Sequence, residues 1–198
     1  MMHAIARNAA ILALALSLTG CLSLGGKSPE ALIALTSDES APTGVMASGT
    51  ASTAIVLLDP DADRRIAVDR VPVQVTPSSV AYLKDAVWVE RPTRQFRRLL
   101  AETVRARATR VVVEGSDFEV TGSTKVSGRL VQMGYDAGAQ AVVVRFDAMV
   151  EERGGAVRSR RFEAKVPGVA AEAAAVGPAL NQAANQVAKE AAGWILGG

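Results

Sequence analysis

The sequence contains one thiol and one imidazole, Cys21 and His3, and both lie near its start. These are the groups most used for nucleophilic catalysis and transition-metal ligation, so their setting decides what chemistry is open to the chain. His3 and Arg7 form a short basic start. Residues 9–18 (AAILALALSL) are apolar apart from Ser17, and Leu18-Thr19-Gly20 leads into Cys21. A basic start, a short apolar run and a small-residue junction are the pattern of a secretory signal peptide. Residues 8–26 carry no charge, and at about 1.5 Å per residue they nearly match a hydrocarbon core of about 30 Å. However, Ser17, Thr19, Gly20, Ser23, Gly25 and Gly26 dilute the second half, which favours a cleaved signal over a spanning anchor.

Leu18-Thr19-Gly20-Cys21 is similar to the bacterial lipobox, in which the cysteine thiol is alkylated by diacylglycerol before cleavage. The expectation is that residues 1–20 are removed and Cys21 becomes the lipid-carrying first residue. This removes the problem of a lone thiol in an oxidising compartment. One acyl chain anchors only marginally, at about 0.8 kcal/mol per buried CH₂, so several chains are needed for lasting attachment. Leu22 follows, not the aspartate associated with inner-membrane retention. By resemblance to that sorting pattern, the expected location is the outer membrane, facing the periplasm. Processing would remove His3 and block Cys21. The mature chain would then lack the groups for Ser-His-Asp or Cys-His catalysis, histidine zinc sites and CxxC redox chemistry. No catalytic residue, metal or cofactor is expected. An envelope hydrolase would have to work with carboxylates alone, as glycosidases do; Asp117 and Glu119 are close in sequence, but nothing pairs them with a second site.

Other motifs are weaker. Asp59-Pro60-Asp61-Ala62-Asp63 begins like a calcium loop, yet the sixth and twelfth positions hold Arg64 and Arg70 where glycine and glutamate are required. No GxxxxGK[ST] loop is present, so ATP binding by that route is excluded. Lys and Arg total 22 against 20 Asp and Glu, too even a balance to argue for nucleic acid. The run Arg158-Ser159-Arg160-Arg161 offers either a surface for an acidic partner or anionic lipid, or a strand edge kept soluble by charge. Neighbouring residues of a strand point to opposite faces, so the run is not one patch. Tyr82, Trp88 and Trp194 are candidate partner-binding residues; where aromatics are scarce a tryptophan more often completes a core, which favours the core for Trp88 and leaves both roles open for Trp194.

The elements follow from periodicity and punctuation. Aromatics are only 4% of the chain, so the core is expected to be built from Val, Leu, Ile and Ala. Residues 22–30 read as a tether, 31–36 (ALIALT) as a first strand and 37–52 as a loop. Residues 53–58 (TAIVLL) form a buried-type strand stopped by Asp59-Pro60. Residues 66–70 give a short strand, and 80–83 with 86–89 a hairpin around Lys84-Asp85. Pro92-Thr93 opens a helix, with Thr93 as its cap, in which Phe96, Leu99, Leu100, Thr103 and Val104 share a face. Residues 110–114, 124–135, 140–151 and 156–166 read as strands, the last three as an antiparallel meander with one wet side. Residues 176–196 form an Ala-rich helix striped by Leu180, Ala184, Val187, Ala191 and Ile195. The fold class is α+β: one domain, with an antiparallel-rich mixed sheet and two main helices on one face. The expected layout is a signal peptide at 1–20, a lipidated tether, possible first strand and loop at 21–52, and the domain at 53–198.

With these elements in place, the chain resembles the auxiliary lipoproteins of MCE-type ABC lipid transporters, the group that includes the lipoprotein of paraquat-inducible systems. The likeness rests on residues 54–60 (AIVLLDP), Asp69-Arg70, Val80-Ala81-Tyr82, residues 86–92 (AVWVERP) and Leu99-Leu100-Ala101-Glu102 of the helix. Val89 stands where the family usually has alanine, and the family's usual aromatic is missing from 31–36. The resemblance implies a non-catalytic, membrane-tethered accessory serving (phospho)lipid traffic between bacterial membranes. Its implied partners are an MCE-domain protein and the ABC permease and ATPase, with homo-oligomers plausible. The alternative is another adaptor lipoprotein, for lipopolysaccharide export or outer-membrane assembly.

Overall fold

The computed structural model describes residues 32–44, 46–115 and 124–197. Its organising element is the strand β6, Thr124–Asp136. Along one edge it pairs antiparallel with β7, Ala141–Glu151, which pairs in turn with β8, Val157–Pro167. Along the other edge three short strands follow one another, all parallel to β6: β1 (Ile55–Leu57), β2 (Asp61–Ala62) and β3 (Arg70–Thr76). β4, Ser79–Val87, extends the sheet antiparallel from β3, and β5, Val112–Glu114, extends it parallel from β1. The result is a mixed eight-stranded sheet and a single α+β domain.

The sheet's apolar face is written by alternation. Val142, Val144, Phe146, Ala148 and Val150 of β7 are buried, and opposite them stand Tyr135, Met133, Leu130 and Val126 of β6 and Phe162 and Ala164 of β8. The inward residues of β6 change phase between Leu130 and Met133. A bulge at Val131 absorbs the extra residue, so both halves keep their apolar side chains inward. Arg65 donates to the bulge carbonyl of Val131 at 3.2 Å and to Gln74 at 2.5 Å, which locks the irregular turn to β3. Gly134 is required where β3 crosses close by: a Cβ there would lie 2.3 Å from the carbonyl oxygen of Pro72.

Two helices cover this face. α1, Pro92–Arg107, buries Phe96, Leu99, Leu100, Thr103 and Val104 as their spacing requires. Phe96 meets Phe146 with ring centroids 5.0 Å apart. Its cap position is Arg91 rather than Thr93, because Pro92 supplies the first helical residue, where a missing N–H costs nothing. α2, Ala173–Ile195, buries the expected stripe together with Ala183, Ala188 and Ala192; the small side chains bring the helix close to the sheet.

Three local expectations change. Residues 31–36 were expected to make a strand; the described part contributes only one parallel bridge, Ile33 to Trp88. The strand expected at 66–70 is a series of turns around the buried Ile66, with β2 before it and β3 after it. The hairpin expected around Lys84-Asp85 turns instead at Pro77-Ser78, and β4 runs on through Asp85, whose φ of 56° marks an irregularity within the strand.

Candidate docking surfaces and the strapped helix groove

Residues 33–41 cross the groove between α1 and α2 as an extended strap. Helices have already used their own backbone groups, so the strap is paired by helix side chains. The Leu35 N–H donates to Gln95 Oε1 (2.8 Å), the Thr36 N–H to Asn181 Oδ1 (2.8 Å), the Asp38 N–H to Asn185 Oδ1 (2.9 Å) and the Ala41 N–H to Glu102 Oε1 (2.9 Å). Asn185 Nδ2 donates back to the Thr36 carbonyl at 2.8 Å. Gln95 and Asn185 are among the few buried polar side chains, and burial without these bonds would be costly. Arg107 closes the strap with two bonds of 2.5 Å to Glu39. That pairing holds the Glu39 carboxyl below its usual value. At the other end, the Ile33 N–H donates to the Val87 carbonyl and the Ile33 carbonyl accepts from the Val89 N–H, fixing the start of the strap.

The three aromatic candidates fall in different places. Trp88 is 2% exposed and lies in the core, one of the two roles open to it. Trp194 is half-buried: its ring meets the edge of Phe162 and lies under Arg158, whose guanidinium is 4.4 Å from the ring centre. Arg158 also donates to the carbonyls of Trp194 and Ile195 at 2.8 and 3.1 Å, so it caps the carboxyl end of α2. Arg161 pairs with Asp147 on the opposite face and holds that carboxyl below its usual value. The basic run is therefore split between two faces and largely occupied. Tyr82 alone opens onto a groove. It lines a concavity of about 570 Å³ with Arg64, Arg65 and Arg91, and Arg70 lies over its ring at 4.6 Å.

The acidic triplet does not converge. Asp59 pairs with Arg97 at 2.9 Å, the Asp61 carboxylate accepts from the Ala62 N–H, and Asp63 pairs with Arg129. Among the described residues no group of three His, Cys, Asp or Glu is placed to hold a metal, and no helix is long and apolar enough to cross a membrane. Cys21 and its preceding Leu18, Thr19 and Gly20 lie outside the described residues, as do Asp117 and Glu119. The strap was missed in the sequence because its partners lie 60 to 149 residues away.

The fold is a small α+β sheet domain with residues 33–41 clasped between two helices. The chain belongs to the ABC-type transport auxiliary lipoprotein component family, whose model matches residues 35–192. The domain is similar in structure to a Xanthomonas campestris protein assigned to the family DUF330, with 22% identity and a TM-score of 0.67, covering 84% of this chain and 95% of that one. A second crystal structure, of an uncharacterized protein, matches with 14% identity and a TM-score of 0.62, covering 73% of this chain and 92% of that one. No curated protein matches the chain.

Proposed function

We propose that the chain is a non-catalytic, lipid-anchored accessory subunit of an MCE-type ABC transporter, moving (phospho)lipids between bacterial membranes. Cys21 would carry the lipid and hold the protein on the outer membrane, facing the periplasm. The observation that carries this reading is the family match over residues 35–192, set behind the signal and Leu18-Thr19-Gly20-Cys21. The work is mechanical: the domain docks a transporter component within the reach of its tether from the membrane. From Cys21 to Leu32 there are eleven residues, so the tether spans at most ~40 Å at about 3.3–3.6 Å per residue. The strap passes any pull on the anchor to both helices through side-chain hydrogen bonds and the Glu39–Arg107 pair. Crosslinking in cells followed by identification of the captured proteins tests the proposal. An MCE-domain protein, or the permease it works with, is the expected capture; capture of cell-wall or export proteins alone refutes it.

A further inference from the structure

The groove at Tyr82 carries an imbalance of charge. Arg64, Arg70 and Arg91 are all exposed, and among the described residues none of the three forms an ion pair. Elsewhere the exposed arginines are mostly matched: Arg94 and Arg98 by Glu90, Arg129 by Asp63, Arg161 by Asp147. Arg153 and Arg160 are likewise exposed without an ion pair, but only at the groove do three such arginines gather about one aromatic ring, in a chain with few aromatics. Apolar surface continues from the groove, with Val80 40% exposed. Arginine above an amphipathic ring beside exposed aliphatic side chains is the chemistry of a membrane interface.

The place where the chain enters the domain supplies a second argument. Ile33 is bridged to Trp88 and bonded to Val89, and Arg91 stands two residues further on. Leu32 (51% exposed) and Val89 (55%) extend the apolar surface at that point. Leu32, the described residue nearest to Cys21 in sequence, therefore lies at the same end of the domain as the arginine groove.

We infer that this face docks on the phosphate headgroups of an anionic membrane surface, with Arg64, Arg70 and Arg91 meeting phosphates and Val80 and Tyr82 lying at the interface. The guanidinium fork matches phosphate oxygens, and each basic residue near an anionic surface contributes enough that two together give roughly a thirtyfold preference, about 2 kcal/mol. The inference rests on the proposed lipid anchor but not on the identity of any transporter.

The test uses the lipid-anchored protein in vesicles of phosphatidylcholine alone or of equal parts phosphatidylcholine and phosphatidylglycerol. Lipidation consumes Cys21, so Val80→Cys provides the single free thiol; its labelling by a water-soluble maleimide reads docking. Val157→Cys, on β8 at the opposite edge of the sheet from β4, is the control. The expected result is labelling of Val80→Cys that slows only in the anionic vesicles, with the docked population falling roughly thirtyfold in Arg64→Ala/Arg91→Ala. Inorganic phosphate should not restore labelling, because a single free ion does not reproduce a surface. Because residue 91 caps α1, Arg64→Ala/Arg70→Ala gives a second reading if the first pair does not fold. Equal labelling in both vesicles, or slowing unaffected by either arginine pair, overturns the inference. So does protection that appears only when an acidic protein is added. If instead the protein fails to associate with neutral vesicles and labels at Cys21, the anchor itself has failed, which is a separate result.

Discussion

Asn185→Ala should loosen the strap. Asn185 is 7% exposed and joins the strap twice, accepting from the Asp38 N–H and donating to the Thr36 carbonyl. Removing the amide deletes two bonds worth about 1 kcal/mol each and leaves both strap groups without their partner, which adds about 0.5 kcal/mol. Alanine is the better helix former by about 0.6 kcal/mol, which offsets part of the loss. The net destabilisation is about 2 kcal/mol, and at about 2–4 °C per kcal/mol for a domain of this size Tm should fall by about 4–8 °C. Circular dichroism melts measure the global effect. Hydrogen exchange at Asp38 measures the local one and should quicken by roughly thirtyfold if opening is confined to the strap. Asn185→Asp keeps the acceptor but not the donor, so it should protect Asp38 while freeing the Thr36 carbonyl. Gln186→Ala, next along α2 and bonded only to Glu190, is the control. A melting temperature within a degree of the parent, with Asp38 exchange unchanged, would refute the account of the strap as a side-chain clasp.

Gly134→Ala should destabilise by about 1–3 kcal/mol in urea unfolding, because its Cβ meets backbone of Pro72 that β6 already holds in register, whereas Gly138→Ala, whose nearest neighbour would be at 3.5 Å, should be close to neutral. Glu39→Gln should cost about 0.5–1 kcal/mol at neutral pH, the range for a partly exposed pair. Because the folded carboxyl titrates below its unfolded value, this contribution is present above the usual 4.5 and is lost as pH falls through the folded value, so parent and variant should converge in acid melts. Cys21→Ala should leave the domain folded by circular dichroism but absent from the membrane fraction; unchanged fractionation with an uncleaved signal would point to a spanning anchor instead.

What was legible in the sequence was what repeats within a short window. The faces of α1 and α2 and the alternation of β7 and β8 emerge from side-chain period alone. The phase change in β6 is also written there, since Val126 and Leu130 are spaced evenly but Met133 and Tyr135 are offset by one; the bulge that explains it is visible only with its partner strand. Lys84-Asp85 has turn composition, yet it lies within β4, where Asp85 falls at a break in the pairing with β3 rather than at the end of a hairpin. The Tyr82 groove illustrates the same limit. Tyr82 was singled out, but Arg64 and Arg70 reach it only through the turns around Ile66, and no local pattern announces that meeting.

The parallel strands on one edge of β6 set the order in which the domain can close. β1, β2 and β3 find their shared partner only after the chain has passed through α1: Ile55 pairs with Thr124 and Val73 with Tyr135. The strap waits longer still, for Asn181 and Asn185 of α2. Such distant pairings must overcome chain entropy before they contribute, which slows folding and delays cooperativity until late in the sequence. In a chain of this topology the described segment that comes first in sequence is therefore among the last to be fixed, held only when the final helix is in place.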